Sequence, residues 1–162
     1  MLLSFALLWW AGAPGCPGCY EVTLPRPAQA EIGRARKPGL TLAGIHRKLN
    51  LRRAAAKGWG RSPEGTPVWR VVIRSTGAAG LRVHIAGLAP GKGRLWVYDA
   101  AAAGSSRFGP YTAEGDRQGG DFWTDIVEAD RVVVEYRPSG AAKILPFSVP
   151  EIAHLFLEPL AP

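Results

Sequence analysis

The feature that most constrains the fold of this chain is a stretch of short alternating apolar runs at residues 68–99. In the first run, Trp69, Val71 and Ile73 alternate with arginines, and residues 81–85 alternate in the same way. A period of two places one set of side chains on a buried face and the other toward solvent. The Gly-containing break between the runs predicts a turn, because glycine adopts the positive φ that tight turns require. The stretch therefore predicts a β-meander in the middle of a β-sandwich.

Further strand-length segments follow this stretch at short intervals. About seven or eight strands are predicted between residues 68 and 157, a number typical of two packed antiparallel sheets. The 20 glycines and 14 prolines in 162 residues also favour many short strands over a helical bundle. The sequence predicts an all-β protein, an antiparallel and jelly-roll-like β-sandwich. The later predicted strands are residues 107–112, 121–126, 131–137, 144–149 and 151–158.

Positive charge is concentrated before the predicted sandwich. The chain has a net charge of +7, yet residues 62–162 hold ten Lys or Arg against eleven acids, a net charge of −1. We expect a signal-like segment at 1–19, a poorly ordered basic leader or linker at 20–61, the β-sandwich at 62–158 and a tail at 159–162. A near-neutral fold with a basic arm gives little support for nucleic-acid binding, and no nucleic-acid partner is expected.

The N-terminus begins with a nine-residue apolar run, LLSFALLWW, at residues 2–10. The run is too short to span a bilayer as a helix. It matches the apolar part of a secretory signal, and small residues at 11–13 suit a cleavage site. The absence of Lys or Arg before it, and Pro14 after the expected cut, are atypical. We predict a secreted or periplasmic protein; the alternatives are a wrongly placed start codon or an apolar tail.

Cys16 and Cys19 form the only cysteine pair of the sequence. A C-x-x-C motif can be half of a zinc site or a redox motif, but a zinc site needs four ligands and no helix is predicted after the pair. The segment also resembles, loosely, a bacterial lipoprotein signal, so a lipid anchor at Cys16 or Cys19 is an alternative. The favoured interpretation is that the pair has no role after processing. No metal and no cofactor are predicted.

The most basic segment lies at residues 40–57. Residues 41–45 alternate as a strand would, and residues 50–57 could form two helical turns, with Asn50 as N-cap and Gly58 as terminator. A solvated basic face is favoured over a membrane or nucleic-acid contact. Its basic residues are Arg47, Lys48, Arg52, Arg53 and Lys57.

The sequence offers no set of residues suited to nucleophilic catalysis. A serine-protease triad needs a serine beside a histidine that an acid orients, and no Gly-x-Ser-x-Gly motif is present. The three histidines, His46, His84 and His154, are interpreted as structural. We therefore predict that the chain is not an enzyme.

Two clusters in the second half of the chain are candidate sites. Five acids lie around a Gly-rich loop and could supply oxygens to calcium, although capping and solvation of the loop are favoured. Among the aromatic residues, Trp96 and Tyr98 are expected in a central, buried strand. Tyr111 and Trp123 flank loops, and this pair is the predicted partner-binding or ligand-binding site. The acids are Asp116, Asp121, Asp125, Glu128 and Asp130.

Several segments, taken together and in order, resemble one protein family. They are VWRVVIRSTGAAGLRVHIAGL, GRLWVYD, FGPYT, GDFWTDIV, DRVVVEYRPSG and PFSVPEIAHLF. They look like the non-catalytic N-terminal β-domain that precedes the trypsin-like domain in secreted bacterial serine proteases of the lysyl-endopeptidase type. The resemblance covers residues 68–156, and the chain departs from the family by stopping at Pro162, where a peptidase domain would begin.

The resemblance implies a propeptide-like or accessory domain that acts through protein contacts. It could aid the folding of a trypsin-like serine peptidase or block its cleft, and it implies no proteolysis by this chain. A second hypothesis is a β-sandwich module that binds carbohydrate or a cell-envelope polymer. A third is the remnant of a split protease gene, because the chain ends where the catalytic half would start.

Overall fold

Ten strands and two short helices make up the part of the chain that the structure describes. The structure is a computed structural model that describes residues 16, 19–49, 51–89, 91–102, 107–113, 120–141 and 143–160. In chain order the elements are β1 (Tyr20–Leu24), α1 (Gln29–Ala35), β2 (Leu42–Lys48), α2 (Arg52–Lys57), β3 (Trp59–Arg61), β4 (Pro67–Ser75), β5 (Gly80–Ile85), β6 (Gly93–Asp99), β7 (Arg107–Tyr111), β8 (Phe122–Trp123), β9 (Arg131–Pro138) and β10 (Glu151–Leu160).

The strands form two sheets that pack face to face. The six-stranded sheet has the order β1-β4-β9-β6-β7, and β3 pairs with β4 beside this path. The four-stranded sheet has the order β2-β10-β5-β8. Strands β1 and β4 run parallel, whereas the other named pairs are antiparallel. The prediction of an all-β sandwich is confirmed.

Consecutive strands of the central stretch belong to different sheets. Strands β4 and β6 lie in the six-stranded sheet and β5 lies in the four-stranded sheet, so the predicted β-meander is wrong. The predicted turn between β4 and β5 is present, with Gly77 at φ 82° and the Ala78 N–H donating to the Ser75 carbonyl over 3.0 Å. This turn carries the chain across the core, where the apolar sides of β4 and β5 face each other.

The core fills the space between the two sheets. Trp69, Val71 and Ile73 of β4 are all fully buried, which confirms the predicted inner face of that strand. From the opposite sheet, Leu81, Val83 and Ile85 of β5 enter the same cluster, along with residues of β6, β9 and β10. The other members include Leu95, Val97, Val132, Val134, Tyr136, Phe147 and Ile152.

The segment expected to be a loose leader contributes strands to both sheets. Strand β1 extends the six-stranded sheet beside β4, and β2 is an edge strand of the four-stranded sheet beside β10. Tyr20, Val22 and Leu24, which alternate along β1, pack against the core. The predicted signal run at residues 2–10 and the predicted N-cap Asn50 lie outside the described residues.

The C-terminal part of the chain also departs from its prediction. Residues 144–149 form no strand, and only Ser148 makes an isolated bridge, to Ala86. Prolines at 146 and 150 each remove a backbone donor that a strand would need. Strand β10 continues to Leu160, beyond the predicted start of the tail at residue 159.

The first testable prediction concerns this core. Val71→Ala should reduce the free energy of unfolding by about 2–3 kcal/mol, because it removes buried methyl groups and leaves a cavity. Leu157→Ala, at a side chain that is 86% exposed, should cost under about 0.5 kcal/mol. Urea denaturation of the two variants measures both values, and equal losses would contradict the assignment of inner and outer faces.

Candidate functional site

A buried serine–histidine pair joins the two sheets. Ser75 at the end of β4 and His154 of β10 are both almost completely buried, and 2.8 Å separates the Ser75 Oγ from the His154 Nδ1. The guanidinium of Arg47 on β2 donates to the same Oγ over 3.0 Å. Glu31 of α1 in turn accepts from the Arg47 Nε over 2.8 Å. The network therefore connects α1 and both sheets.

The Ser75–His154 pair is buried, unlike a serine nucleophile and its base that act on a substrate. A serine nucleophile must reach its substrate, and its base must be free to take the proton. Burial, and then the charge of Arg47, lower the pKa of His154, so the imidazole is neutral at pH 7 and shares a hydrogen bond with the Ser75 hydroxyl. Arg47 was expected on a solvated basic face. Its burial corrects that expectation, since its charge is satisfied by Glu31 inside the fold.

The second testable prediction concerns the pH dependence of stability. In the unfolded chain a histidine titrates near pH 6.5, at about its ordinary pKa. Because the pKa of His154 is lowered in the fold, the unfolded state binds more protons just below that pH. This contribution to stability is complete above pH 6.5 and is lost as the pH falls toward the lowered pKa, by at most about 1.4 kcal/mol per pH unit.

The measurement is urea denaturation at pH 7.5 and pH 5.5. The wild type should lose more stability between these two values than His154→Gln, which has no imidazole to titrate at this position. An equal loss in the two proteins would show that His154 does not contribute to the pH dependence.

Tyr111, one of the two predicted site residues, is held by the fold. It is half-buried at the end of β7, and its ring lies 5.2 Å from the ring of Phe122. Its hydroxyl donates to the Asp125 carboxylate over 2.5 Å, and the Asp125 N–H donates back to the Tyr111 oxygen over 2.9 Å. Burial, and then the hydrogen bond to Asp125, raise the pKa of Tyr111.

Trp123, the other predicted residue, lies on the outer face of the four-stranded sheet. Its indole stacks on the His84 ring at 4.9 Å and 14°, and the His46 ring lies 4.8 Å away at 44°. Its neighbour Phe122 belongs to the core. Because adjacent residues of a strand point to opposite faces, Tyr111, which packs on Phe122, and Trp123 do not share one surface.

Two carboxylates complete the surroundings of Trp123. The His84 Nε2 lies 2.7 Å from Asp121 Oδ1, and the His84 Nδ1 lies 3.4 Å from Glu151 Oε1. Glu151 also lies 4.0 Å from the Nδ1 of His46. We call these five residues, Trp123, His46, His84, Asp121 and Glu151, the tryptophan patch.

The sequence predicted Trp123 but not its companions. His46, His84 and Glu151 occupy β2, β5 and β10, which the register places side by side. In the register, Ala153 of β10 pairs with His46 of β2 and with Arg82 of β5. Alternation along each strand could have assigned these side chains to an outer face, but only the strand order brings them together.

The acids that were weighed as a calcium site are dispersed over separate contacts. Asp121 contacts His84, Asp125 contacts Tyr111, and Asp130 contacts Arg74 over 3.2 Å. Asp116 lies outside the described residues. Within the described parts of the chain, no three His, Cys, Asp or Glu side chains are grouped closely enough to hold a metal ion.

An apolar cavity of about 480 Å³ opens near α2 and the segment before β10. Lys143 is the one titratable residue among the described side chains that line it. The cavity therefore has room for an apolar group. Its described lining offers no second titratable side chain that could act with Lys143 in general acid–base catalysis. Its main walls are Leu49, Leu51, Trp59, Trp69, Leu145, Phe147 and Val149.

A buried carboxylate on the outer face of the six-stranded sheet accepts hydrogen bonds from three arginines. Glu135 of β9 is fully buried and accepts from the Nε of Arg70 over 2.7 Å, the Nε of Arg137 over 2.9 Å and the Nη1 of Arg107 over 3.3 Å. The Tyr98 hydroxyl donates to it over 3.0 Å. Burial alone would raise the pKa of Glu135, but the hydrogen bond and charge of Arg70, followed by the other two arginines, lower it.

The third testable prediction concerns Arg70, which alternation alone assigned to solvent. Arg70→Ala should reduce the free energy of unfolding by about 1.5–3 kcal/mol, because a buried carboxylate loses its shortest charged hydrogen bond. Arg94→Ala, an exposed arginine of neighbouring β6, should cost under about 0.5 kcal/mol. Similar losses in urea denaturation would mean that Glu135 does not depend on Arg70.

Comparison of the chain with protein-family models, curated proteins and solved structures finds no match. The resemblance to the β-domain of secreted serine proteases therefore remains a prediction. The site has to be argued from its own geometry.

Proposed function

We propose that the chain is a non-catalytic accessory domain that binds a partner protein through the tryptophan patch. The observation that carries this proposal is the position of Trp123 on the outer face of a sheet, among imidazoles and carboxylates. Aromatic side chains with a polar surround are typical anchors of protein interfaces.

Binding is favoured over catalysis because of where the serine–histidine pair lies. The Ser75 hydroxyl and the His154 imidazole are engaged with each other and sealed between the sheets. The resemblance supplies the candidate partner, a secreted trypsin-like serine peptidase. The domain would act on it as a folding aid or as an inhibitor of its cleft.

Polysaccharide is the second candidate, and the composition of the patch favours it. A planar indole offers an apolar surface for a sugar ring, and a binding site needs a few placed polar groups around such a surface. The carboxylates of Asp121 and Glu151 accept hydrogen bonds from hydroxyl groups. This candidate would use the same residues as the first.

The fourth testable prediction is that Trp123→Ala weakens peptidase binding by at least about 30-fold, the loss expected for an interface anchor. The measurement is capture of the purified chain on an immobilised trypsin-like peptidase of the lysyl-endopeptidase type and, in parallel, on an insoluble polysaccharide. Phe108→Ala, at a partly exposed aromatic residue on the other sheet, is the matched control and should bind as the wild type does.

The two arms separate the candidates. Trp123-dependent retention on the polysaccharide alone would replace the peptidase with a sugar polymer, and unchanged binding of Trp123→Ala would contradict the patch. Tyr111→Phe keeps the half-buried ring and removes only the two hydrogen bonds with Asp125. Because Tyr111 and Trp123 lie on different surfaces, this variant should bind as the wild type does, and a loss of binding would show that the predicted pair acts together. Circular dichroism of each variant checks that the sandwich is folded.

A further inference from the structure

Arginine dominates the outer face of the six-stranded sheet. Six arginines of β4, β6, β7 and β9 lie on this face against three carboxylates, which leaves an excess of three positive charges. Glu135 and Asp130 pair with the arginines, and Glu21 of β1 lies on the same face beside Val72. Cross-strand register places Arg94 beside Arg137 and Arg74 beside Arg131. We call this surface the arginine face; its arginines are Arg70, Arg74, Arg94, Arg107, Arg131 and Arg137.

Half of the guanidinium groups of this face are held around Glu135 before any ligand binds. Glu135 fixes three of them, the Arg107 guanidinium lies 4.6 Å from the centre of the Tyr98 ring, and that of Arg137 lies 5.4 Å from the centre of the Trp96 ring. The side chains of Arg107 and Arg137 are still 35% and 40% exposed. A guanidinium has five N–H donors, so donors remain for oxyanions from solvent.

The first described residues of the chain, Cys16 and Cys19, lie on the same face. Cys16 and Cys19 are joined in a disulfide and pack on an outer-face cluster that includes Val72, Tyr98 and Val133. While the two thiols are joined to each other, neither can carry a lipid.

We propose that the arginine face docks on an anionic phospholipid surface, with its guanidinium groups bound to lipid phosphates. Arginine suits phosphate because its planar fork donates two parallel hydrogen bonds. Clusters of basic residues bind anionic lipid headgroups through their charge. No described helix is both long and apolar enough to cross a membrane.

A membrane suits this face better than a soluble polyanion does. A soluble polyanion would use the arginines but would give no role to the indole of Trp96 beside them. Trp96, half-buried on the same face, is of the residue type enriched where membranes meet water. The proposal does not rest on peptidase or sugar binding, because the tryptophan patch lies on the opposite sheet and would face away from the membrane.

The test, our fifth prediction, measures binding of the full chain to phosphatidylcholine vesicles with and without phosphatidylglycerol by co-sedimentation. Arg94 is exposed and is absent from the hydrogen bonds to Glu135, so Arg94→Gln should leave the fold intact. Its affinity for anionic vesicles should fall about fivefold, and that of Arg94→Glu about 30-fold, as expected for one and two units of charge near such a surface. Binding should also weaken as salt is raised.

The matched control is Lys48→Gln, which removes the same charge from an exposed position on the outer face of the four-stranded sheet. Its affinity should fall less than about twofold, because its charge lies on the far side of the sandwich. Equal losses of affinity for Arg94→Gln and Lys48→Gln would mean that vesicle binding depends only on the net charge of the protein, and would overturn the proposal. Equal binding of the wild type to neutral and anionic vesicles would overturn it as well.

Two further experiments distinguish membrane docking from binding of a soluble polyanion and from binding at the tryptophan patch. If heparin binds in an Arg94-dependent way while vesicles do not bind, the face serves a soluble polyanion and the membrane proposal fails. Trp123→Ala should bind anionic vesicles as the wild type does. Loss of peptidase or polysaccharide binding in that variant, with vesicle binding retained, would leave the membrane proposal standing whatever the partner of the tryptophan patch.

Discussion

The buried guanidinium of Arg47 is the interaction on which the closed sandwich most depends. It pairs with Glu31 of α1, donates to the Pro25 carbonyl over 2.7 Å and donates to Ser75, which in turn meets His154. A buried charge without partners costs several kcal/mol, so these groups have to assemble together. These contacts fix the N-terminal segment that holds Pro25 and Glu31 to both sheets. They also close one end of the apolar core.

Once the inner faces are sealed, the two outer faces are the broad surfaces left for binding, and their chemistry differs. The four-stranded sheet presents an indole between two imidazoles and two carboxylates. The six-stranded sheet presents guanidinium groups in excess over carboxylates, fixed around Glu135. A partner protein or sugar on the first face and a phospholipid surface on the second can be engaged at the same time, because the core separates them.

Period-two alternation predicted the inner faces of β4 and β5 correctly, since burial of an alternating strand depends on its own sequence. It could not predict that β4 and β5 belong to different sheets, because opposed strands across a core show the same pattern as neighbours in one sheet. The position of Trp123 beside a loop was enough to predict it as a site residue. Grouping His46 and His84 with it, or the arginines with Glu135, required knowledge of the strand order. Alternation at residues 41–45 indicated part of β2. The five-residue β1 alternates as well, but the prolines and charges that follow it favoured a loose leader.

Two tryptophans report separately on whether the two faces have different tasks. Trp96 lies half-buried on the arginine face and Trp123 lies half-buried on the opposite sheet. Hydroxyl-radical footprinting of the full chain, read by mass spectrometry, compares their oxidation with and without anionic vesicles. If the arginine face docks on the membrane, Trp96 should be protected while the oxidation of Trp123 is unchanged. Equal protection of both, or protection of Trp123 alone, would contradict it.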